Sequence, residues 1–256
     1  MKGINREHLR KLHAKEEERF LARTPKSKER FTSAKEVMPG GVPMSWMSKW
    51  PGAYPLFVAS AKGAHFTDLD GNEYIDLCLG DTGSMTGHSP APTVAAIKSQ
   101  LEKGMTAMLP TEDAVVVSRE LSQRFELPLW QFTVSATDAN RHVIRYSRLI
   151  TCKKKIIVID RCYHGSVDET FATLDNKGKT VAREGNIGAP VPLEETTRVV
   201  EFNNLEGMEE ALKSGEIAAI LMEPAMTNVG IVLPDVGYLH KVGELARTYG
   251  AMWIDR

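Results

Sequence analysis

Three short segments combine residue types that handle ligands. The first, Phe132-Thr133-Val134-Ser135-Ala136-Thr137-Asp138-Ala139-Asn140, reads as a strand running into a helix through small hydroxyl residues. The first turn of such a helix has backbone N–H groups without partners and carries the positive end of the helix dipole, so it suits a phosphate. Ser, Thr and Asp at this junction are also ordinary N-caps, and taken alone the segment favours the cap. The second, Asp160-Arg161-Cys162-Tyr163-His164-Gly165-Ser166-Val167-Asp168, follows the apolar run Lys155 to Ile159. An aromatic ring at a strand's carboxyl end can stack on a flat heteroaromatic group, and Gly165 permits close backbone approach. His164 with Asp168 also admits a metal or acid–base role, and a plain loop with a packed Tyr and a hydrogen-bonded His is the blander alternative. The third runs from Ala218 to Gly230, an apolar strand ending in Glu223, which Pro224 keeps out of a helix. Its carboxylate is either functional or simply an exposed strand end.

These segments need elements to hold them. Residues 1 to 37 read as helical, and Met38-Pro39-Gly40-Gly41-Val42-Pro43 breaks the pattern. From Leu56 to Leu77, short alternating runs separated by turns at Ser60 to Gly63 and Asp70-Gly71-Asn72 predict a small antiparallel meander. Beyond Gly80 the rhythm alternates. Helices are expected near 91 to 103, 112 to 126, 138 to 149, 205 to 214 and 236 to 249, and strands near 130 to 135, 155 to 159, 218 to 222 and from 251 onward. This pattern implies an α/β fold, a mostly parallel sheet with helices on both faces, whose ligands bind beyond the carboxyl ends of the strands. We expect residues 1–78 to form an N-terminal helix and meander belonging to a small domain, and 79–256 to form the large ligand-binding domain, incomplete at its C-terminal end. The final run Met252-Trp253-Ile254 would leave a bare sheet edge, which suggests truncation.

The composition excludes several classes. With 256 residues, 42% hydrophobic and 25% charged, the chain can bury a sizeable core. A formal net charge of −1 gives no electrostatic footprint for nucleic acid. The basic excess in residues 1 to 30 accompanies Ile4, Leu9, Leu12, Phe20 and Leu21 at near-helical spacing, which favours a helix docked on its own protein or on another subunit. Three cysteines without a CxxC pair indicate neither a disulfide framework nor a zinc knuckle, and point to a reducing compartment. With no apolar leader and no spanning run, a cytoplasmic location is expected. A Rossmann enzyme would want GxGxxG after a strand, and none is present. A metal hydrolase using His164 and Asp168 lacks a second pair of ligands.

From about Val37 to Gly250 the order of motifs resembles the class III aminotransferases, enzymes of fold type I that use pyridoxal 5′-phosphate (PLP), in the branch containing glutamate-1-semialdehyde aminomutase and the β-amino-acid aminotransferases. The resemblance is carried by Met38-Pro39-Gly40-Gly41-Val42, Asp68 to Asp76, Gly87-His88, Ser135-Ala136-Thr137, Cys162-Tyr163-His164-Gly165, and Glu223-Pro224 with Asn228. It implies that Ser135, Ala136 and Thr137 hold the cofactor phosphate, with Ala136 where glycine is usual. It implies that Tyr163 stacks on the pyridine ring, that Asn228 lies near the ring's phenolic oxygen and that Glu223 shapes the same pocket. The carboxylate that meets the pyridine nitrogen is implied at the end of the last strand. The family's spacing puts it at Arg256, one residue beyond Asp255, and a one-residue slip would turn Asp255 to the other face unless a bulge corrects it.

The family's Schiff-base lysine lies further along than this chain reaches, and Lys241 does not match it. The expectation is therefore an aminotransferase moving an amino group between an amino acid or amine and a keto compound, a homodimer when full length, here an N-terminal fragment with no catalytic residue of its own. The alternative is an inactive homologue acting through cofactor or subunit binding. The loop Val42 to Trp50 has no arginine for a carboxylate, while Trp46 and Trp50 offer apolar area. Tryptophans in such a loop are more often packing or subunit contacts than substrate contacts.

Overall fold

A computed structural model describes residues 4–49, 51–105 and 108–255, so Trp50 and Arg256, both invoked above, lie outside the described residues. The chain divides into two compact units, Met1–Thr111 and Glu112–Arg256.

In the first unit the expected N-terminal helix is split in two. Helix α1 (Arg6–Arg23) starts at Asn5, whose side chain accepts from the His8 amide at 3.0 Å, and α2 (Pro25–Ala34) follows a break at Thr24. Pro25 sits in the first turn of α2, where its missing N–H costs nothing. The amides of Lys26 and Ser27 in that turn donate to the Asp70 carboxylate at 2.7 and 3.0 Å, so the meander caps the helix from outside. Of the five apolar residues predicted to dock, only Phe20 is partly buried, its ring 5.0 Å from that of Tyr54. Ile4, Leu9, Leu12 and Leu21 are exposed. The meander forms as antiparallel strands β1 (Val58–Lys62), β2 (His65–Asp68) and β3 (Glu73–Ile75), in that order. Strand β1 runs on to Lys62, so the first turn is tighter than expected and rests on Gly63 at φ 58°. The unit also contains α3 (Ala91–Leu101).

The second unit holds α4 (Glu112–Phe125), α5 (Ala136–Thr151), β4 (Lys155–Ile159), the hairpin β5 (Ala172–Leu174) and β6 (Thr180–Ala182), β7 (Thr197–Val200), α6 (Leu205–Lys213), β8 (Ile217–Met222), α7 (Tyr238–Thr248) and β9 (Met252–Asp255). Strands β7-β4-β8-β9, in that order, form a wholly parallel sheet. Every residue of β8 is buried, and Ile156 to Ile159 of β4 are fully buried, so both faces of the sheet are covered. Helices α6 and α7 pack together on one face, and α5 packs on β8 and β9. One expectation fails here. Residues 130–135 form no strand, because no neighbouring strand among the described residues pairs with them, and Val134 stands 99% exposed. Strand β7, for which no element is expected above, forms one edge of the sheet.

Candidate functional site

The site lies at the carboxyl edge of the second unit's sheet, where the start of α5 meets the loop after β4. Ser135 is the N-cap of α5, with φ −152° and ψ 162°, and its Oγ accepts from the Asp138 amide at 3.2 Å. That bond leaves the Ala136 and Thr137 amides as first-turn donors with no partner within the helix. Thr137 Oγ1 accepts from the Ser166 amide at 3.0 Å, joining the helix start directly to the Tyr163 loop. The joint is close enough to demand glycine: at Gly165, φ is 79° and an added Cβ would stand 2.2 Å from Thr137 Oγ1 and 3.1 Å from its Cα. The phosphate-suited turn and the Tyr163 loop therefore share one edge of the sheet.

Within the loop, burial alternates. Cys162 is 1% exposed, Tyr163 44% and His164 0%, so two inward neighbours anchor an outward-facing ring. The carbonyls of the two residues next to Tyr163 are also gripped. Arg183 Nη1 donates to the Cys162 carbonyl at 2.7 Å, and Asn140 Nδ2, from the second turn of α5, donates to the His164 carbonyl at 2.9 Å. Asp160, just past β4, accepts from Thr173 Oγ1 at 2.6 Å and the Leu174 amide at 3.0 Å, tying the β5–β6 hairpin to the start of the loop. Neither Asn140 nor Arg183 was singled out from the sequence. Asn140 shares a helical face with Ile144 and Ser147, all buried, which could have marked it as a polar residue with an inward partner. Nothing local marks Arg183.

Glu223 follows β8 directly and is buried. Its Oε2 accepts from the Thr227 amide at 3.1 Å and from Thr227 Oγ1 at 3.0 Å, while Oε1 is buried without a hydrogen-bond partner among the described residues. A buried carboxylate oxygen in that state is expected to meet a donor. Burial pushes the Cys162 thiol up to about 12, and the nearby Glu223 charge adds to the shift. Asn228 is exposed, in a turn closed by paired bonds between Met226 and Val232 at 3.0 Å. Asp255 ends β9, paired with Met222 in an unshifted ladder with no bulge. Trp253, two residues earlier, lies against Gly243 of α7. Alternation thus puts Asp255 on the α7 face of the sheet. Glu223 continues the β8 alternation of Ala219 and Leu221, on the opposite face. No cluster of three or more His, Cys, Asp or Glu arranged for a metal occurs among the described residues, and no helix of the structure is long and apolar enough to cross a membrane.

Comparison with known proteins adds independent findings. The profile of class III aminotransferases matches residues 46–255. A glutamate-1-semialdehyde 2,1-aminomutase of Desulfitobacterium hafniense (strain DSM 10664 / DCB-2) is 34% identical over 233 residues, which are 90% of this chain and 54% of that protein. The crystal structure of a glutamate-1-semialdehyde aminomutase from Pseudomonas aeruginosa PAO1 superposes with a TM-score of 0.94 at 43% identity, covering 99% of this chain and 56% of that one. A variant of that enzyme has been solved in complex with PMP. An omega-transaminase from Sphaerobacter thermophilus superposes with a TM-score of 0.81 at 28% identity, covering 90% of this chain and 54% of that one. The chain spans about half the length of these relatives. Its sheet is that of the fold type I enzymes among them, and the chain belongs to the class III aminotransferase family.

Proposed function

We propose that this chain supplies the cofactor-binding part of a PLP-dependent enzyme that moves an amino group between an amine or amino acid and a keto compound. The observation that carries the reading is the direct joint between Thr137, at the start of α5, and Gly165-Ser166, in the loop that presents Tyr163. A phosphate and a pyridine ring joined by a short linker need a donor-rich turn and an exposed aromatic ring at one edge. The buried, orphaned Glu223 Oε1 fits a group that brings a donor. The Ala136 and Thr137 amides, with Ser135 as cap, would hold the phosphate, and Tyr163 would cover the ring. Asn228 and Glu223 are the polar groups assigned to the ring's periphery, while Asp255 is on the other face of the sheet from Glu223 and is left out of that set. PLP, when bound, supplies the electron sink for chemistry at an amine-bearing carbon. The chain's own part is to bind and orient it.

The lysines of this unit with described contacts are engaged elsewhere. Lys153 donates to the Tyr249 and Gly250 carbonyls at 2.7 and 3.0 Å, Lys154 to Glu195 at 3.2 Å, Lys155 to Glu216 at 2.8 Å and Lys241 to Glu244 at 2.7 Å, and Lys213 pairs with Glu209 at 3.4 Å. Binding by this chain alone is therefore expected to be reversible and non-covalent. A cytoplasmic homodimer is part of the same proposal, resting on the family and on three free cysteines. The test is titration of the 256-residue chain with PMP and PLP by calorimetry, followed by borohydride treatment and dialysis. Saturable binding weakened by Y163A and S135A, with no cofactor retained after dialysis, is the expected result. Absence of saturable binding by chain that still melts cooperatively would sink the reading.

A further inference from the structure

We infer that Asn140 and Arg183 are positioning residues that set the direction of the Tyr163 ring by gripping the carbonyls of its two neighbours, His164 and Cys162. The inference rests on the reading that Tyr163 covers the cofactor ring, and its residues come from the geometry alone. Tyr163 is the one outward side chain between two fully inward ones, so its Cα–Cβ vector follows the orientation of the local backbone. That backbone has no ladder to hold it, because β4 ended at Ile159, and it turns through Arg161 at φ 61° and Gly165 at φ 79°. A segment of this kind needs its carbonyls held by side chains from elsewhere. The Cys162 carbonyl is held by Arg183 at 2.7 Å and the His164 carbonyl by Asn140 at 2.9 Å.

The two grips come from different elements. Asn140 belongs to α5, whose first turn carries Ser135 and Thr137, so it sets the ring loop at a fixed distance from the phosphate-suited turn. Arg183 follows β6, and its own amide donates to the Phe171 carbonyl at 2.8 Å, while Asn186 Nδ2 reaches the same carbonyl at 3.1 Å. The backbone that carries the guanidinium is thus fixed to the hairpin, which Asp160 in turn ties to the loop. Each grip holds one neighbour of Tyr163, and together they limit how far the backbone between Cys162 and His164 can turn. A ring-bearing residue held this way loses little freedom when it stacks on a ligand, which is how preorganisation raises affinity.

Two measurements test this, one without any cofactor. In the first, hydrogen exchange is followed at the amides of Tyr163 to Ser166 in the parent chain, R183A, N140A and R183K. R183A and N140A should accelerate exchange there while the β8 amides keep theirs, and R183K, which can still reach the Cys162 carbonyl, should restore protection in part. In the second, PMP affinity is measured in a double-mutant cycle with Y163A. R183A should weaken binding about fivefold when Tyr163 is present and scarcely at all in the Y163A background, since coupling of this size is expected between residues in contact. Unchanged exchange at Tyr163 to Ser166 in both alanine variants overturns the inference, as does an equal loss of PMP affinity with and without the Tyr163 ring. Failure of the parent chain to bind PMP instead counts against the proposed function, and the exchange measurement still decides on the grip.

Discussion

Gly165→Ala is the most direct probe of the joint between α5 and the Tyr163 loop. The substitution acts in two ways. It forces an L side chain to φ 79°, in the left-handed region, at a cost of about 1 to 2 kcal/mol. It also places a Cβ 2.2 Å from Thr137 Oγ1, so that hydroxyl must move and its bond from the Ser166 amide is lost, a further ~1 kcal/mol. The Thr137 Cα and Cβ, each 3.1 Å from the added atom, leave little room for relief because they belong to a helix start. Reduced freedom of the unfolded chain returns about 0.4 to 1 kcal/mol. The net loss is about 2 kcal/mol, which at a typical urea slope of ~2 kcal/mol per molar lowers the unfolding midpoint by about 1 M. The assay is urea unfolding followed by far-ultraviolet circular dichroism, with PMP affinity measured alongside. In the T137A background the same glycine change should cost about 1 kcal/mol less, because the atom it strikes is gone. A midpoint unchanged by G165A, or an identical cost in both backgrounds, would refute the claim that this contact defines the site.

Two further outcomes follow from other regions. The Asp68 carboxyl is buried, which alone would raise its pKa, but bonds from the Asn72 side chain and amide, Tyr74 Oη and the Asp70 amide outweigh burial and hold it below the usual value. A depressed folded pKa gives stability that is present above the unfolded value near 3.9 and is lost as pH falls through the folded one. Thermal melts should therefore weaken for the first unit below about pH 4, and D68A should flatten that acid limb while lowering stability at pH 7. On the second unit, no residue of α4 is buried, and Val115, Val116, Val117 and Phe125 are exposed together with Leu127, Leu129 and Phe132. Purified chain should bind a hydrophobic dye and elute as mixed oligomers, a sharp monomer peak being the contrary result.

The parts of the fold legible in the sequence are those that one local pattern decides. Lys155-Ile156-Ile157-Val158-Ile159 is β4 to the residue, because an unbroken apolar run between breakers has little choice but a strand buried on both faces. The meander was readable from its turns. Strand β7 was not, because Thr-Arg-Val-Val is four residues long at a sheet edge, with Arg198 exposed and no alternation long enough to register. Residues 130–135 show the reverse error: apolar content suggests a strand, but a strand exists only where a neighbour accepts its hydrogen bonds. Helix α1 shows it for periodicity, since apolar residues at helical spacing mark a face without showing what covers it.

The site was legible only up to the reach of the same local rules. Ser135 is a cap that names itself by type and place, Tyr163 and Glu223 follow apolar strands, and Gly165 is required by a positive φ that the sequence suggests but does not prove. Asn140 and Arg183 bond across separations of 24 and 21 residues, so their roles exist only once the chain has brought α5, β4 and the hairpin together. Asp255 makes the same point through strand register. A carboxylate at the end of the last strand has the residue type the family resemblance asks for, yet in a ladder with period two its face is fixed by pairing and not by proximity in sequence. Met222 pairs with Asp255 and Ile220 with Trp253, whose ring meets Gly243 of α7. The acid on β9 therefore shares a face with α7, and the acid after β8 lies on the opposite face.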